Sequence, residues 1–454
     1  MTGRHLHFMG IGGVGMCGLA EVLHARGVVV SGCDLAESER TERLRELGLD
    51  VRIGHDPAHL DGVDVVVRSA AVTLDEAELE AARQRQLPVI RRAVMLGELV
   101  RGGRGVAVAG THGKTTTTSL VGHLLTEVGL DPTVLVGGRA RFADSHARVG
   151  GGQLVVCEAD EFDRSFLELD PVVCVVTNLE PEHLDCYSDA GELEAAFATF
   201  CNQTSVLGRV ILCRDDPGAW SLAGAVRRPR LGYGFSDDAE LRAVDLELDA
   251  DGCRFLVLQR GSELGRVTLP LPGRFNVRNA LAALAVGLEL GAPFVGLAAA
   301  CASFTGVARR FDVLGSRNGV TVVDDYGHHP TEIAAVFEGA RQALPGRRLV
   351  VVFQPHLFSR TRDFADGFAR ALLGADVVMV LPIYPARERP IDGVDASLVV
   401  AAARRAGHPA ITAGPAVSQA AVAVDALLEP GDVLLTVGAG DVHRVAKAWL
   451  GGIA

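Results

Sequence analysis

The 454-residue sequence predicts an α/β protein built from three successive units. Three observations carry that prediction. Short, valine-rich apolar runs recur as strands and alternate with segments of helical period, the pattern of mainly parallel sheets. Two glycine-rich turns, Gly10-Ile11-Gly12-Gly13-Val14-Gly15 and Gly110-Thr111-His112-Gly113-Lys114-Thr115, each follow such a run and open a helix. The composition, 48% hydrophobic and 22% charged, is that of a core-forming globular chain.

The first unit, residues 1–103, reads as a small doubly wound, Rossmann-like domain. A strand from Leu6 to Met9 enters the first glycine turn, and a helix follows to about His24. A second strand, Val28 to Ser31, ends near Asp34. An acidic residue about 20 positions beyond such glycines is the ribose-binding arrangement of a dinucleotide fold. The pattern predicts a nucleotide or diphosphate on the first helix without saying which; a tight turn with no ligand is the competing reading. A third strand, Val63 to Val67, runs into Ser69, and Pro88-Val89-Ile90 precedes another helix. The unit ends near Gly102-Gly103.

The central unit, residues 104–306, begins with an apolar strand from Gly105, the second glycine turn and a helix through Leu125, a P-loop ATPase-like start. Backbone N–H groups at a helix N-terminus hold phosphate oxygens. Lys114 supplies a full charge to the outer phosphates, and the Thr115 hydroxyl is placed to reach magnesium. The strict loop pattern has a further glycine where Val108 stands, so the match is to Gly110-x-x-Gly113-Lys114-Thr115. The alternative is an ordinary glycine turn with a surface lysine. The preceding strand and the run Thr115 to Thr118 weigh against it, and a nucleoside triphosphate is the expected ligand. Further strands, Thr133 to Val136, Leu154 to Cys157 and Val172 to Thr177, lead into Glu158-Ala159-Asp160-Glu161 and into Glu182-His183-Leu184-Asp185. The carboxyl ends of parallel strands face the ligand. That places Glu158 and His183 toward the phosphate loop, with Glu158 a candidate magnesium ligand and a helix cap as its plainer alternative. Residues 241–271 alternate like edge hairpins. Leu281 to Phe304 is an apolar stretch that Gly291-Ala292-Pro293 breaks into two packed helices rather than one membrane span.

The third unit, residues 307–454, reads as another Rossmann-like domain. Ala308-Arg309-Arg310-Phe311 precedes a hairpin and Asp324-Asp325-Tyr326-Gly327-His328-His329-Pro330. Strands Leu349 to Phe353, Val377 to Leu381 and Val433 to Val437 alternate with helices. Arg360 and Arg362 follow one strand end, where two guanidinium groups could clamp a carboxylate or simply start a solvated helix. Adjacent histidines point in different directions, so His328-His329 reads as a hydrogen-bonding pair rather than a metal site.

A net charge of −12 argues against a nucleic-acid surface. Nine cysteines without a C-x-x-C pair read as free thiols of a reducing compartment. The apolar stretch from Leu6 to Ala20 resembles an export signal, but its glycines make a poor helix. A soluble cytoplasmic protein, with neither nucleic acid nor membrane as a partner, is expected.

Taken together and in this order, these motifs, with Asn276 to Ala280, resemble the Mur ligases over nearly the full length. The Asp-Asp-Tyr-Gly-His-His-Pro run and the G-I-G-G-x-G-M loop favour the member that adds alanine. The resemblance implies three domains that bind a UDP-sugar, ATP and an amino acid, the third closing over the site. It implies that L-alanine is joined to the lactyl carboxylate of UDP-N-acetylmuramate through an acyl phosphate, giving ADP and phosphate, in peptidoglycan biosynthesis. Gly10, Gly12, Gly13, Gly15, Asp34 and Ser69 would then hold the UDP-sugar rather than NAD. Gly110, Thr111, His112, Gly113, Lys114, Thr115, Thr116, Asn279, Arg310 and Asp325 would hold ATP, with Asn279 on adenine, Arg310 on the γ-phosphate and Asp325 on the ribose. Thr115, Glu158 and His183 would hold magnesium, and Lys114, Glu158, His183 and Arg310 would form the catalytic set. Tyr326, His328 and Arg360 would line the alanine site. A monomer or homodimer is expected. Leu357, where some members have arginine, and Phe162-Asp163, where serine is common, depart from the pattern. No lysine lies between Leu184 and Phe200, so no carbamylated lysine is expected. A murein peptide ligase is the alternative within the class. A nicotinamide-dependent oxidoreductase and a non-catalytic nucleotide-binding protein are alternatives outside it.

Overall fold

The computed structural model describes residues 3–140, 145–180, 186–386 and 388–452. In chain order the first elements are β1 (His5–Met9), α1 (Val14–Ala25), β2 (Val29–Asp34), α2 (Glu39–Glu46), β3 (Asp50–Ile53), β4 (Val65–Arg68), α3 (Ala77–Gln84), β5 (Val89–Arg91) and α4 (Arg92–Arg101). The five strands form one parallel sheet in the order β3-β2-β1-β4-β5. The order reverses between β1 and β4, the switch point where doubly wound sheets bind ligands. The sequence reading ran from the second strand directly to residues 63–67. The structure inserts β3, which buries only Val51 and so shows no apolar run.

Next come β6 (Arg104–Ala109), α5 (Lys114–Glu127), β7 (Thr133–Ala140), β8 (Ser145–Arg148), β9 (Leu154–Glu158), β10 (Val173–Val176), α6 (Ala190–Gln203), β11 (Arg209–Cys213), α7 (Pro217–Ser221) and β12 (Arg230–Gly234). They are followed by β13 (Leu241–Asp249), β14 (Gly252–Gln259), β15 (Ser262–Leu269), α8 (Arg274–Glu289) and α9 (Phe294–Ala302). Their ten-stranded sheet has the order β15-β14-β13-β12-β11-β10-β6-β9-β7-β8. β6 lies inside the sheet, parallel to its neighbours β10 and β9. The helix break expected at residues 291–293 is present, with Gly291 at φ +85° and Pro293 capping α9.

The last elements are β16 (Asp312–Arg317), β17 (Val320–Asp325), α10 (Pro330–Ala343), β18 (Leu349–Phe353), α11 (Phe358–Asp363), α12 (Ala365–Leu372) and β19 (Val377–Val380). α13 (Ala396–Arg405), β20 (Ile411–Ala413), α14 (Val417–Asp425), β21 (Val433–Val437) and α15 (His443–Gly451) complete the chain. The six-stranded sheet runs β16-β17-β21-β18-β19-β20, parallel except for the β16–β17 hairpin. Both faces are covered, so its strands alternate between two cores. Leu349, Val351 and Phe353 pack with Ile333, Phe337 and Phe368. Val350 and Val352 pack with Val445 and Trp449.

The three sheets fall within the three segments read from the sequence. By compactness the chain divides into two units, residues 1–246, 255–268 and 278–305 in one and residues 247–254, 269–277 and 306–454 in the other. Among the described residues, no helix is long and apolar enough to cross a membrane.

Candidate active site

The phosphate loop joins β6 to α5 at the carboxyl edge of the central sheet. Two of its glycines are required by the backbone. Gly110 has φ +132°, and a Cβ there would lie 2.1 Å from Thr177 Oγ1. Gly113 caps α5 at φ +79°, and a Cβ there would lie 2.9 Å from Asn279 Oδ1. The end of β10 holds the turn in place. His112 N–H donates to Asn178 Oδ1 at 2.7 Å, Asn178 Nδ2 donates to the His112 carbonyl at 3.0 Å, and Thr177 Oγ1 donates to the same carbonyl at 2.6 Å. Glu180 N–H donates to Thr111 Oγ1 at 2.9 Å. Thr115 and Thr116 are buried in the first turn of α5, and Thr117 Oγ1 donates to Asn279 Oδ1 at 3.2 Å. Asn279, singled out from the sequence, therefore stands against this loop.

Lys114 carries the charge. Its Nζ donates to Glu161 Oε1 and Oε2 at 2.9 and 2.8 Å and to the Gly110 carbonyl at 2.6 Å. Burial pushes the Glu161 carboxyl up to about 7, with the Lys114 charge pulling against it. The Glu161 carbonyl accepts from the buried Tyr187 hydroxyl at 2.6 Å. Glu161 stands in the Glu158-Ala159-Asp160-Glu161 motif but has no role assigned from the sequence. The signal was its position three residues beyond Glu158 at a strand end.

Glu158 ends β9, opposite Val108 of β6. Its Oε1 accepts the Gly137 N–H at 2.6 Å, and a Cβ at Gly137 would come within 2.9 Å of Oε2. The carboxylate lines a cavity of about 270 Å³ with Gly137, His146 and Asp160 on one side and Gly15, Gly18 and Arg92 on the other. Arg92 packs on Gly15 so closely that a Cβ there would lie 3.0 Å from its guanidinium. Neither Arg92 nor His146 carried a motif that sequence reading could use. His183 lies outside the described residues, so its predicted role stays an expectation.

In the first glycine turn, Gly10 has φ +77° and lies against Ser69, whose Cβ would be 3.0 Å from a Cβ at Gly10. Gly13 caps α1 and its N–H donates to the Gly10 carbonyl at 3.1 Å. Asp34 Oδ2 accepts the Gly12 N–H and Oδ1 accepts the Leu35 N–H, each at 2.8 Å. The Asp34 carboxylate thus braces the turn through both oxygens.

In the six-stranded unit, Asp325 accepts the Phe311 and Gly327 N–H groups, each at 2.7 Å. Burial pushes its carboxyl up to about 6, with Arg310 opposing. Tyr326 is flanked by the guanidinium groups of Arg309 and Arg310, 4.9 and 5.0 Å from its ring centroid. The His328 ring meets Tyr326 edge-on at 5.5 Å and His356 at 5.9 Å, and His356 stacks on Tyr384 at 5.7 Å. His328 N–H donates to Glu332 at 2.9 Å, and His329 caps α10, so both histidines act as hydrogen-bonding groups as expected. Arg360 sits in α11, whose preceding residue, Leu357, has φ +69°. The resemblance assigns Tyr326 and His328 to one site, and their rings meet; His356 and Tyr384 carry no assignment from the sequence.

A phosphate loop with its lysine, together with a strand-end carboxylate that shares a cavity with a second glycine-headed helix, defines a nucleotide-using α/β enzyme. Three family models match in succession: the Mur ligase family catalytic domain at residues 5–104, the Mur ligase middle domain at 108–287 and the Mur ligase glutamate ligase domain at 309–440. The chain is 45% identical to a UDP-N-acetylmuramate–L-alanine ligase of Desulfatibacillum aliphaticivorans, covering 98% of both chains. It is 47% identical to one of Methylibium petroleiphilum, covering 97% of this chain and 96% of that one. The solved UDP-N-acetylmuramate-alanine ligase of Thermotoga maritima superposes with a TM-score of 0.82 at 27% identity over 98% of each chain. The chain belongs to the Mur ligase family and is an ATP-dependent ligase.

Proposed function

We propose that this enzyme joins L-alanine to the lactyl carboxylate of UDP-N-acetylmuramate, with cleavage of ATP to ADP and phosphate, as a step in building peptidoglycan for cell wall, shape and division. The carrying observation is the cavity that Gly15 and Gly18 of α1 share with Glu158. A ligand anchored on the first glycine turn reaches the strand end beside the phosphate loop, which is where an attacking carboxylate has to be held. The identity of the relatives supports the choice of substrates.

The carboxylate oxygen attacks the γ-phosphorus and ADP leaves. The alanine amine then attacks the acyl carbon, phosphate leaves, and the amine gives up a proton. Lys114 neutralises charge developing on the transferring phosphoryl group. To do so it exchanges part of its bonding to Glu161 for phosphate oxygens. Gly110, Thr111, His112, Gly113 and Thr116 surround the phosphates, and Asn279 contacts adenine. Arg310 and Asp325 are assigned the γ-phosphate and ribose. Gly10, Gly12, Gly13, Gly15 and Ser69 hold the UDP-sugar, with Asp34 bracing their turn and Arg92 a guanidinium suited to its anionic groups. Tyr326, His328 and Arg360 form the alanine site.

Hard oxygen donors at the phosphate loop fit a magnesium ion. The Glu158 carboxylate, directed into the cavity, and the Thr115 hydroxyl, at the first turn of α5, would hold it, with His183 expected to bind a second. Bound there, the ion would neutralise phosphate charge. Domain bounds of 1–103, 104–306 and 307–454 suit the three sheets and the three matched segments. The enzyme acts in the cytoplasm as a monomer or homodimer, in keeping with its free cysteines. Phosphate release should require UDP-N-acetylmuramate, ATP and L-alanine together. Release that is unchanged when the UDP-sugar is omitted would contradict the assignment.

A further inference from the structure

Away from the cavity, on the face of the first sheet turned toward α3, four side chains from four elements converge. They are His7 of β1, Cys33 of β2, His59 of the 3-10 turn Pro57–Leu60, and Glu78 in the first turn of α3. Their donor atoms all lie within 4.8 Å of one another. Glu78 Oε1 is 2.9 Å from His7 Nε2 and 3.2 Å from His59 Nδ1, and Cys33 Sγ is 3.2 Å from Glu78 Oε2. Glu78 is 0% exposed, Cys33 0% and His7 1%. None of these groups has a part in the ligation chemistry. A buried carboxylate among imidazoles and a thiol is costly unless its charge is matched.

We propose that this cluster is a structural zinc site. Thiolate, imidazole and carboxylate together are the donor set of zinc, not of magnesium or calcium, which take oxygen. Tetrahedral donors at zinc distances stand about 3.3–3.8 Å apart. Three of the separations here, 2.9, 3.2 and 3.2 Å, fall just short of that range and none exceeds 4.8 Å, so small side-chain movements would close the set on an ion. The supporting contacts are those of a metal site as well. Metal-ligating histidines hold their second nitrogen on a fixed partner. Here His7 Nδ1 is 2.9 Å from Ser31 Oγ, which leaves Nε2 turned to the cluster. His55 Nδ1 lies 2.8 Å from Glu78 Oε2 and orients the carboxylate. His59, with a side chain 9% exposed, gives the ion a way in. Binding releases the Cys33 thiol proton to solvent, because the ligand is the thiolate. The ion ties β1, β2, the 3-10 turn and α3 together directly beneath the first glycine turn, whose brace, Asp34, follows Cys33 in the chain.

The test uses the full-length protein, stripped with chelator and then titrated with zinc or with cobalt(II) as a spectroscopic stand-in. Wild type should retain one equivalent of zinc through gel filtration in excess magnesium, and its Tm should rise with zinc. With cobalt it should show a thiolate charge-transfer band and the intense visible bands of a tetrahedral ion. Cys33→Ser, folded by circular dichroism, should lose the thiolate band, and Ser31→Ala should weaken zinc binding by about 10- to 100-fold. No retained zinc in wild type would overturn the site, leaving a network held by protons alone. So would a thiolate band that survives Cys33→Ser. Should Cys33→Ser not fold, Ser31→Ala and His59→Ala decide the matter, and zinc affinity unchanged in both would refute the proposal.

Discussion

Lys114 is one positive charge bound by both oxygens of the buried Glu161, at the head of a helix whose glycines leave room for phosphate. Removing it should cost roughly 100- to 1000-fold in turnover. Lys114→Ala should bind UDP-N-acetylmuramate normally in an equilibrium titration, because that ligand is assigned to the first glycine turn. Turnover near wild type would contradict the loop's role. Asp325 offers a second residue-level check. Its folded value, about 6, lies above the ordinary 3.8 because of burial. The native state therefore binds this proton more tightly than the unfolded chain. The stability it contributes is present in full below the ordinary value and is lost as pH rises through about 6. Asp325→Asn removes the titration. The Tm of the variant relative to wild type should rise between about pH 4 and pH 7. A difference that is flat or falls would contradict this. Lys114, Glu158 and Asn279 were legible because each stands in a short motif. The Lys114–Glu161 pair was not, since its partners lie 47 residues apart and meet only through the pairing of β6 with β9.

At the scale of elements, the glycine turns are the most exacting parts of the design. A Cβ at Gly110 would sit 2.1 Å from Thr177 Oγ1, at a φ that side chains disfavour. Gly110→Ala should weaken ATP binding by roughly 5- to 150-fold, from a backbone penalty of about 1–3 kcal/mol, while leaving UDP-sugar affinity intact; calorimetric titration of both ligands separates the two. Gly12→Val acts on the other loop, where a Cβ would lie 2.9 Å from Asp34 Oδ2. It should abolish UDP-sugar binding, and wild type should bind no NADH. Tight NADH binding that this variant removes would favour the oxidoreductase. Most strands were readable because a sheet covered on both faces demands continuous apolar runs, as in β6, β10, β18 and β21. β3 and β20 each bury a single residue, Val51 and Ile411, and so leave no periodic trace. The helix pair α8 and α9 was readable because Gly291 and Pro293 stop and restart it.

For the molecule as a whole, the claim is that three α/β sheets serve one ligation and that the amino acid is L-alanine. The residues assigned to its choice, Tyr326, His328 and Arg360, are only partly explained by sequence. Tyr326 and His328 sit in one run, but the His356–Tyr384 stack that completes their surroundings comes from the loops after β18 and β19. The carboxylate of the incoming amino acid is assigned to Arg360, so Arg360→Ala should raise KM for alanine far more than KM for ATP. A pocket distinguishes one methyl group by only about 1–3 kcal/mol, roughly 10- to 200-fold. Glycine should therefore be a poor but measurable substrate, and an anionic side chain should fail through uncompensated burial of charge. The decisive measurement is kcat/KM with UDP-N-acetylmuramate and ATP for glycine, L-alanine, L-serine, D-glutamate and an L-Ala-D-Glu peptide. L-Alanine should be highest, glycine lower by roughly 10- to 200-fold, and D-glutamate and the peptide inactive. A preference for the peptide would make the enzyme a murein peptide ligase, and a preference for D-glutamate would contradict the assignment to alanine addition.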